Sequence, residues 1–518
     1  MTRLLLVPVL LPYAGAAACV LLRQRLRAQR AVSLAVASAV LASALALVVG
    51  TLEGPLAVRV GGWPAPIAIT LVIDTFAALV LSGAAVAAVA ALAAAAADGA
   101  DRSRTYHPVA LAMLAGVGLA FTTGDLFTLF VSFEVLLVGS YVLLTDDLRG
   151  RGLRAGVAYV AVNLTASVLL VAGIGLIYSA VGTTNLGDLA RVGLGGTAPL
   201  GAALVLTAVA VKAGVAPVHG WLPVAYGRTA PAVAGLLSGV LTKVGVYALY
   251  RLVTLLDVDG AVVAGLLATL AILSMLLGVV SAVGRSDLRE ILAFHSTSQV
   301  GYMVMGLALL DPLALAAGTV FTIHHSVVKS GLFLTAGAVE RERGSGRLSV
   351  AGGLVRQRPA IAAAFGVLAL ALAGLPPFSG FVPKLGLLRA AAEQEAWLLA
   401  AASVVTSVLT LASMVKIWQG GLGEGIVEPA DSTDVSAPTS SSGGRVAVPA
   451  GAAADDGPAA PPTTRRPAAV GPAIGLAAVA VVLGLTAGPL LEVAVTAAEG
   501  LLDPAVYIET VGTGVELP

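Results

Sequence analysis

The chain has 518 residues, of which 58% are hydrophobic and 11% charged. A soluble globular domain carries about 25% charged residues, so a water-soluble enzyme is excluded and the lipid bilayer is the solvent to reason from. Thirty basic against 29 acidic residues give a net charge of +1, which offers nucleic acid no binding surface, and the single cysteine, Cys19, excludes internal disulfides, iron–sulfur clusters and cysteine-built zinc sites.

A spanning helix needs roughly 20 mostly apolar residues. In chain order that length selects 4–22, 31–51, 68–98, 108–123, 125–145, 155–181, 199–218, 230–254, 260–283, 290–310, 312–339, 359–388, 396–419 and 470–497. The expectation is an all-α polytopic membrane protein of about 14 transmembrane helices. The first stretch carries only Arg3 ahead of it and the cluster Arg23, Arg25, Arg27 and Arg30 behind it, so it reads as a retained helix with its N-terminus outside, not as a signal peptide. Residues 421–469, rich in Pro, Ser, Ala, Gly, Asp and Thr without apolar periodicity, read as a disordered cytoplasmic linker.

Orientation is tested by arginine, which accumulates on the cytoplasmic side of alternate connections. Beyond the first cluster, Arg102, Arg104, Arg149, Arg151, Arg154, Arg228, Arg285, Arg289, Arg341, Arg343, Arg347, Arg356 and Arg358 all fall in odd-numbered loops. The opposite side has Arg3, Arg59, Arg191, Arg251 and Arg389. Both termini are therefore expected outside a multi-pass plasma-membrane protein, the bacterial inner membrane.

Lysine is distributed differently. All five lysines, Lys212, Lys243, Lys329, Lys384 and Lys416, fall inside expected spans. An intramembrane lysine costs about 2.5–3.5 kcal/mol on insertion scales, so the partition needs a cause. Arginine stays charged at any accessible pH, whereas a desolvated amine can release its proton near neutrality. The one acid near the middle of a span is Glu134. An amine and a carboxylate held together each favour the other's charged form, and separating them reverses this, which makes such a pair a proton-loading switch in principle. A static ion pair that only fixes packing is the competing reading. Lys416, near a span end, suits snorkelling as well as transport.

Two lysines sit beside helix breakers. Lys212 precedes Ala213-Gly214-Val215-Ala216-Pro217-Val218-His219, and Lys384 follows Gly374-Leu375-Pro376-Pro377-Phe378-Ser379-Gly380-Phe381-Val382-Pro383. A proline frees a carbonyl that lipid cannot solvate, so each break must face protein or water, and a broken helix with an ionisable residue recurring in two halves is the sign of an inverted-repeat transporter. A purely structural kink is the alternative. Lys243, His295, His324, His325 and Lys329, with hydroxyls nearby, form a candidate relay, and His325 and Lys329 share a helix face. His324 and His325 are adjacent, so their side chains diverge on a helix, and no metal is expected there. Gly193, Gly195 and Gly196 lack any phosphate-loop context, and no nucleotide, flavin or quinone site is expected.

The runs Lys212-Ala213-Gly214 through His219-Gly220-Trp221-Leu222-Pro223, Leu236-Leu237-Ser238-Gly239-Val240-Leu241-Thr242-Lys243-Val244-Gly245, Phe294-His295-Ser296-Thr297-Ser298-Gln299 and Leu375-Pro376-Pro377-Phe378-Ser379-Gly380-Phe381 resemble the antiporter-like membrane subunits shared by Mrp-type cation/proton antiporters and respiratory complex I. The resemblance covers roughly residues 65–420, and the D-type subunits of Mrp Na⁺/H⁺ antiporters are the nearest group. It implies two inverted five-helix repeats with helices 7 and 12 broken. Three N-terminal helices would occupy 1–107, the repeats 108–254 and 255–420, the linker 421–469, and the last helix with a tail 470–518. It further implies Glu134 and Lys212 as an essential pair, Lys243 as the connecting residue, His295, His325 and Lys329 as relay groups and Lys384 as the terminal lysine. Partners would be the other membrane subunits of a hetero-oligomeric antiporter, with protons and Na⁺ as cargo, no cofactor and no catalytic residue of an enzyme. Two alternatives stay open: a proton-pumping membrane subunit of an NADH-quinone oxidoreductase or membrane hydrogenase, and a membrane scaffold whose polar residues only join helices.

Overall fold

The computed structural model describes residues 2–63, 69–145, 151–256, 260–349, 352–423, 469–513 and 515–516. The linker expected at 421–469 falls almost entirely outside them. Helix dominates because a backbone in lipid must satisfy its own donors and acceptors. The order is α1 (Val7–Leu21), α2 (Leu26–Gly50), α3 (Thr75–Asp98), α4 (Tyr106–Thr122), α5 (Leu126–Thr145), α6 (Arg151–Val181), α7 (Leu186–Val192), α8 (Ala198–Ala213), α9 (Trp221–Arg228), α10 (Pro231–Leu255), α11 (Gly260–Val283), α12 (Leu288–Ala308), α13 (Pro312–Arg343), α14 (Leu354–Gln357), α15 (Pro359–Ala373), α16 (Phe381–Glu393), α17 (Trp397–Ile417), α18 (Gly471–Leu485), α19 (Ala487–Leu502) and α20 (Ala505–Thr513).

Among the described residues, eight helices are long and apolar enough to cross a bilayer, or nine if the bent pair α18 and α19 counts as one span, and α4, α8 and α15 are shorter apolar helices. Neither α12 nor α13 is among the eight. Those two carry His295, His324, His325 and Lys329 and are buried along most of their length. They lie inside protein instead of facing lipid, so their polar residues escape the hydrocarbon penalty. Helix α13 is the hub, packed against α3, α10, α12, α15, α16, α18 and α19.

The sequence reading needs two corrections. The stretch 68–98 is not all helix: β2 (Thr70–Ile73) pairs antiparallel with β1 (Leu56–Arg59), and β3 (Val515–Glu516) adds parallel to β1. Helix α3 starts only after Asp74, whose Oδ1 accepts from Ala77 N at 3.0 Å, the cap that a carboxylate supplies to a helix N-terminus. The stretch 470–497 is two helices meeting at 77°. Pro489 explains the bend, since its ring would clash with the carbonyl of Leu485, four residues earlier. The helix breaks expected beside Lys212 and Lys384 are present. Both breaks have the same length and pattern, 214–220 and 374–380, and each opens with a glycine in the left-handed region, Gly214 at φ 78° and Gly374 at φ 87°. Each contains a cis peptide bond, Ala216-Pro217 and Pro376-Pro377.

Candidate functional site

The site begins at the end of α8. Lys212 is buried, and its Nζ lies 4.9 Å from the centre of the Phe133 ring. The Nζ donates to Ser167 Oγ at 2.9 Å, and Ser167 Oγ donates to Glu134 Oε1. Glu134 and Lys212 are thus joined through a hydroxyl contributed by α6, where the sequence suggested a direct pair. The unwound segment beyond Lys212 is held by Trp221, whose Nε1 donates to Val211 O at 2.8 Å, and by Ala216 N, which donates to Ser274 Oγ at 2.9 Å. Both contacts supply partners to backbone groups that the break releases.

Helix α10 reaches this point through Gly245, where a Cβ would lie 2.4 Å from Ala213 N. Lys243, one half-turn earlier on α10, is fully buried and donates to Ser238 O and, at 3.4 Å, to Thr242 Oγ1. Across α10 lies α13, where Lys329 donates to Leu292 O of α12. His325 lies within electrostatic reach of Lys243, Lys329 and Lys384, and His295 within reach of Lys329 and Lys384. Both ring nitrogens of His295 and of His325 are buried without a hydrogen-bond partner among the described residues.

The chain of groups ends at α16. Lys384 donates to Leu372 O at 3.0 Å and Ala373 O at 3.1 Å, the last carbonyls of α15. A cation at a helix C-terminus is favoured both by these unpaired acceptors and by the helix dipole. Its Nζ also lies 4.7 Å from the Tyr302 ring centre, and it lines a cavity of about 200 Å³ with Ser403 and Ser407. His324 Nδ1 meets Ser379 Oγ at 2.7 Å, tying α13 to the second break. Lys416 lies apart from these groups: it donates to Val283 O and Arg285 O and caps the end of α11.

Three groups escaped the sequence. Ser167 is one hydroxyl among several in an apolar run. Asp74 and Arg251 form a buried ion pair at 2.5 Å, where the sequence offers Arg251 only as one of the few arginines on the non-cytoplasmic side. Asp101, between α3 and α4, has no side-chain exposure and takes two hydrogen bonds of 2.6 Å from Arg30 and one of 3.0 Å from His107 Nε2, while His107 Nδ1 meets Ser33 Oγ at 2.8 Å. Burial alone would raise the Asp101 carboxyl, but the bonds from His107 and Arg30 outweigh it and hold the group at about 2.

A polytopic helical bundle with two matching broken helices, each with a buried amine beside the break, defines a membrane-embedded ion-translocation scaffold. The chain belongs to the NADH:quinone oxidoreductase/Mrp antiporter membrane family, whose model matches residues 123–410. It is 36% identical to the D-type subunit of the Na⁺/H⁺ antiporter of Alkalihalophilus pseudofirmus over 99% of each chain. It is 33% identical to the N-type subunit of the NADH-quinone oxidoreductase of Desulforudis audaxviator over 81% of this chain and 87% of that one. A chain in the solved structure of the Mrp complex from Dietzia sp. superposes with a TM-score of 0.87 at 38% identity, over 99% of this chain and 100% of that one. Its relatives thus include a Na⁺/H⁺ antiporter subunit and a chain of an Mrp complex along the full length, and an oxidoreductase subunit over most of it.

Proposed function

We propose that this chain is the proton-conducting subunit of a multisubunit Na⁺/H⁺ antiporter of the Mrp type. The observation that carries the reading is the hydrogen-bonded series Lys212, Ser167, Glu134, an amine and a carboxylate joined by a group that can both give and receive a proton. In one step an N–H proton of the Lys212 ammonium passes to Ser167 Oγ while the hydroxyl proton passes to Glu134 Oε1. The hydroxyl is regenerated, the amine becomes neutral and the carboxyl protonated. Lys243, Lys329, His325 and His295 carry protons between this group and Lys384. The unpartnered imidazole nitrogens of His295 and His325 suit exchange with water, since buried polar atoms are stable only with some partner.

In this reading the two breaks belong to inverted repeats at 108–254 and 255–420 within a bundle of fourteen spans. The arginine alternation supports both termini outside. Na⁺ exchange is a property of the assembled complex, with other membrane subunits as partners. Glu134→Ala or Lys212→Ala, in complexes that still assemble, is expected to lose ΔpH-driven Na⁺/H⁺ exchange in everted vesicles. Normal exchange by both assembled variants would overturn the proposal.

A further inference from the structure

At the end of α3 where Asp74 caps the helix, away from the amines, a cavity of about 190 Å³ is lined by Thr51, Glu53, Asp74, Thr496, Asp503 and Tyr507, among others. Asp74, in its lining, pairs with Arg251 behind it. Arg251 is the one buried arginine among the described residues, and its guanidinium also lies 4.2 Å from the ring centre of Tyr507. Two buried polar atoms here hydrogen-bond to no described residue: the hydroxyl of Tyr507, which lines the cavity, and Nε of Arg251 beneath it. A buried charged pair is expensive unless fully hydrogen-bonded, so as pure packing this arrangement is a poor solution. As the wall of a vestibule it is a better one, because Asp74 and Tyr507 both line the cavity and water held there can partner them.

The pair is also aligned with the relay. Lys243, Tyr247 and Arg251 are four residues apart along α10 and share one side of it, spanning about 12 Å at 1.5 Å per residue. Tyr247 supplies the polar atom between the two cations, its hydroxyl donating to Phe121 O at 3.4 Å, while Phe76 stacks on its ring at 5.3 Å. The arginine alternation puts this end of α10 outside. We propose that the cavity over Asp74 and Arg251 is the external port of the proton path, with Asp74 as the carboxylate that receives protons from outside water. Asp74 takes a proton on its carboxylate and releases it again as the proton moves inward past Tyr247 towards Lys243. Arg251 remains charged throughout.

The inference rests on the relay proposed above but is tested apart from it. Cys19 is the only cysteine of the chain and is buried, so cysteines introduced by Glu53→Cys and Thr496→Cys can be modified with a membrane-impermeant cationic thiol reagent applied from outside to the intact complex. Ile69→Cys, exposed at the sheet beyond the cavity, serves as the control, and the unsubstituted complex reports modification of other subunits. Exchange is compared before and after labelling of the same sample. A fixed positive charge in the vestibule is expected to lower proton exchange about tenfold at positions 53 and 496, the scale on which a charged mouth alters local cation concentration and on-rate, with no loss at 69. Asp74→Asn, which keeps a helix-capping oxygen, is expected to lower exchange likewise. Complete labelling with unchanged exchange, labelling only from the cytoplasmic side, or normal exchange by assembled Asp74→Asn would each overturn the port. If Lys212→Ala abolishes exchange while the labelled positions do not, the port fails and the relay stands.

Discussion

Ser167 differs from a packing hydroxyl in its partners: it accepts from Lys212 and donates to Glu134, where most serines on these helices donate back to their own backbone, as Ser132 does to Leu129 O. Ser167→Ala should therefore lower exchange by at least about tenfold, ~1.4 kcal/mol on the barrier, without loss of assembly, and Ser167→Thr, which restores a hydroxyl, should recover much of it. Equal exchange by serine and alanine forms in a vesicle assay would remove the hydroxyl from the path. Asp101 makes a different prediction, on stability. Its native value of about 2 lies below the ordinary 3.8, so its stabilising contribution is complete above about pH 4 and is lost as pH falls through about 2. Thermal melts of the purified complex should show Asp101→Asn destabilised at pH 7 and flatter than the parent between those limits. The lysines were legible in the sequence because charge inside an apolar span is conspicuous by itself. Ser167 and Asp101 were not, because their meaning lies in which helices they face, and a hydroxyl or a loop carboxylate is ordinary until its neighbours are known.

At the scale of elements, the paired breaks were legible because proline and glycine act locally: the missing N–H and the left-handed glycine stop a helix wherever they occur. Sheet and bend were harder. Strands of four residues, β1 and β2, carry too few alternations to register, and the turn between α18 and α19 hides in a continuous apolar run. Helices α12 and α13 show where hydropathy misleads, since their polar faces meet protein and not lipid. Close approach of α8 and α10 depends on Gly245, with an added Cβ only 2.4 Å from Ala213 N and 2.8 Å from Lys212 C. Backbone atoms cannot swing aside as a side-chain tip can, so Gly245→Ala should force the helices apart at the cost typical of overpacking, about 1–3 kcal/mol. The expected result is a lower melting temperature together with reduced exchange, because the displaced segment includes Lys212. An unchanged melt would mean the helices have another way to settle.

For the molecule as a whole, the question left by sequence is which machine drives the relay. The same scaffold serves cation antiport in one set of relatives and NADH-quinone oxidoreductase in another, and nothing in Glu134, Lys212 or Lys384 separates the two. Similarity to the Na⁺/H⁺ antiporter relative runs through 99% of both chains, including the C-terminal helices. That end is structurally engaged. Helix α18 meets the second break, where a Cβ on Gly484 would lie 2.2 Å from Pro377 O, and α20 carries Tyr507 to Arg251. The full-length match thus includes both the segment over the break before Lys384 and a wall of the cavity at Asp74. An antiporter draws its driving force from ion gradients alone. The native complex reconstituted into vesicles is therefore expected to exchange Na⁺ for protons under an imposed ΔpH with no NADH or quinone added, and its absorbance spectrum to carry no flavin or iron–sulfur bands. Exchange that appears only on adding an electron donor, with such bands co-purifying, would assign the same relay to a redox pump.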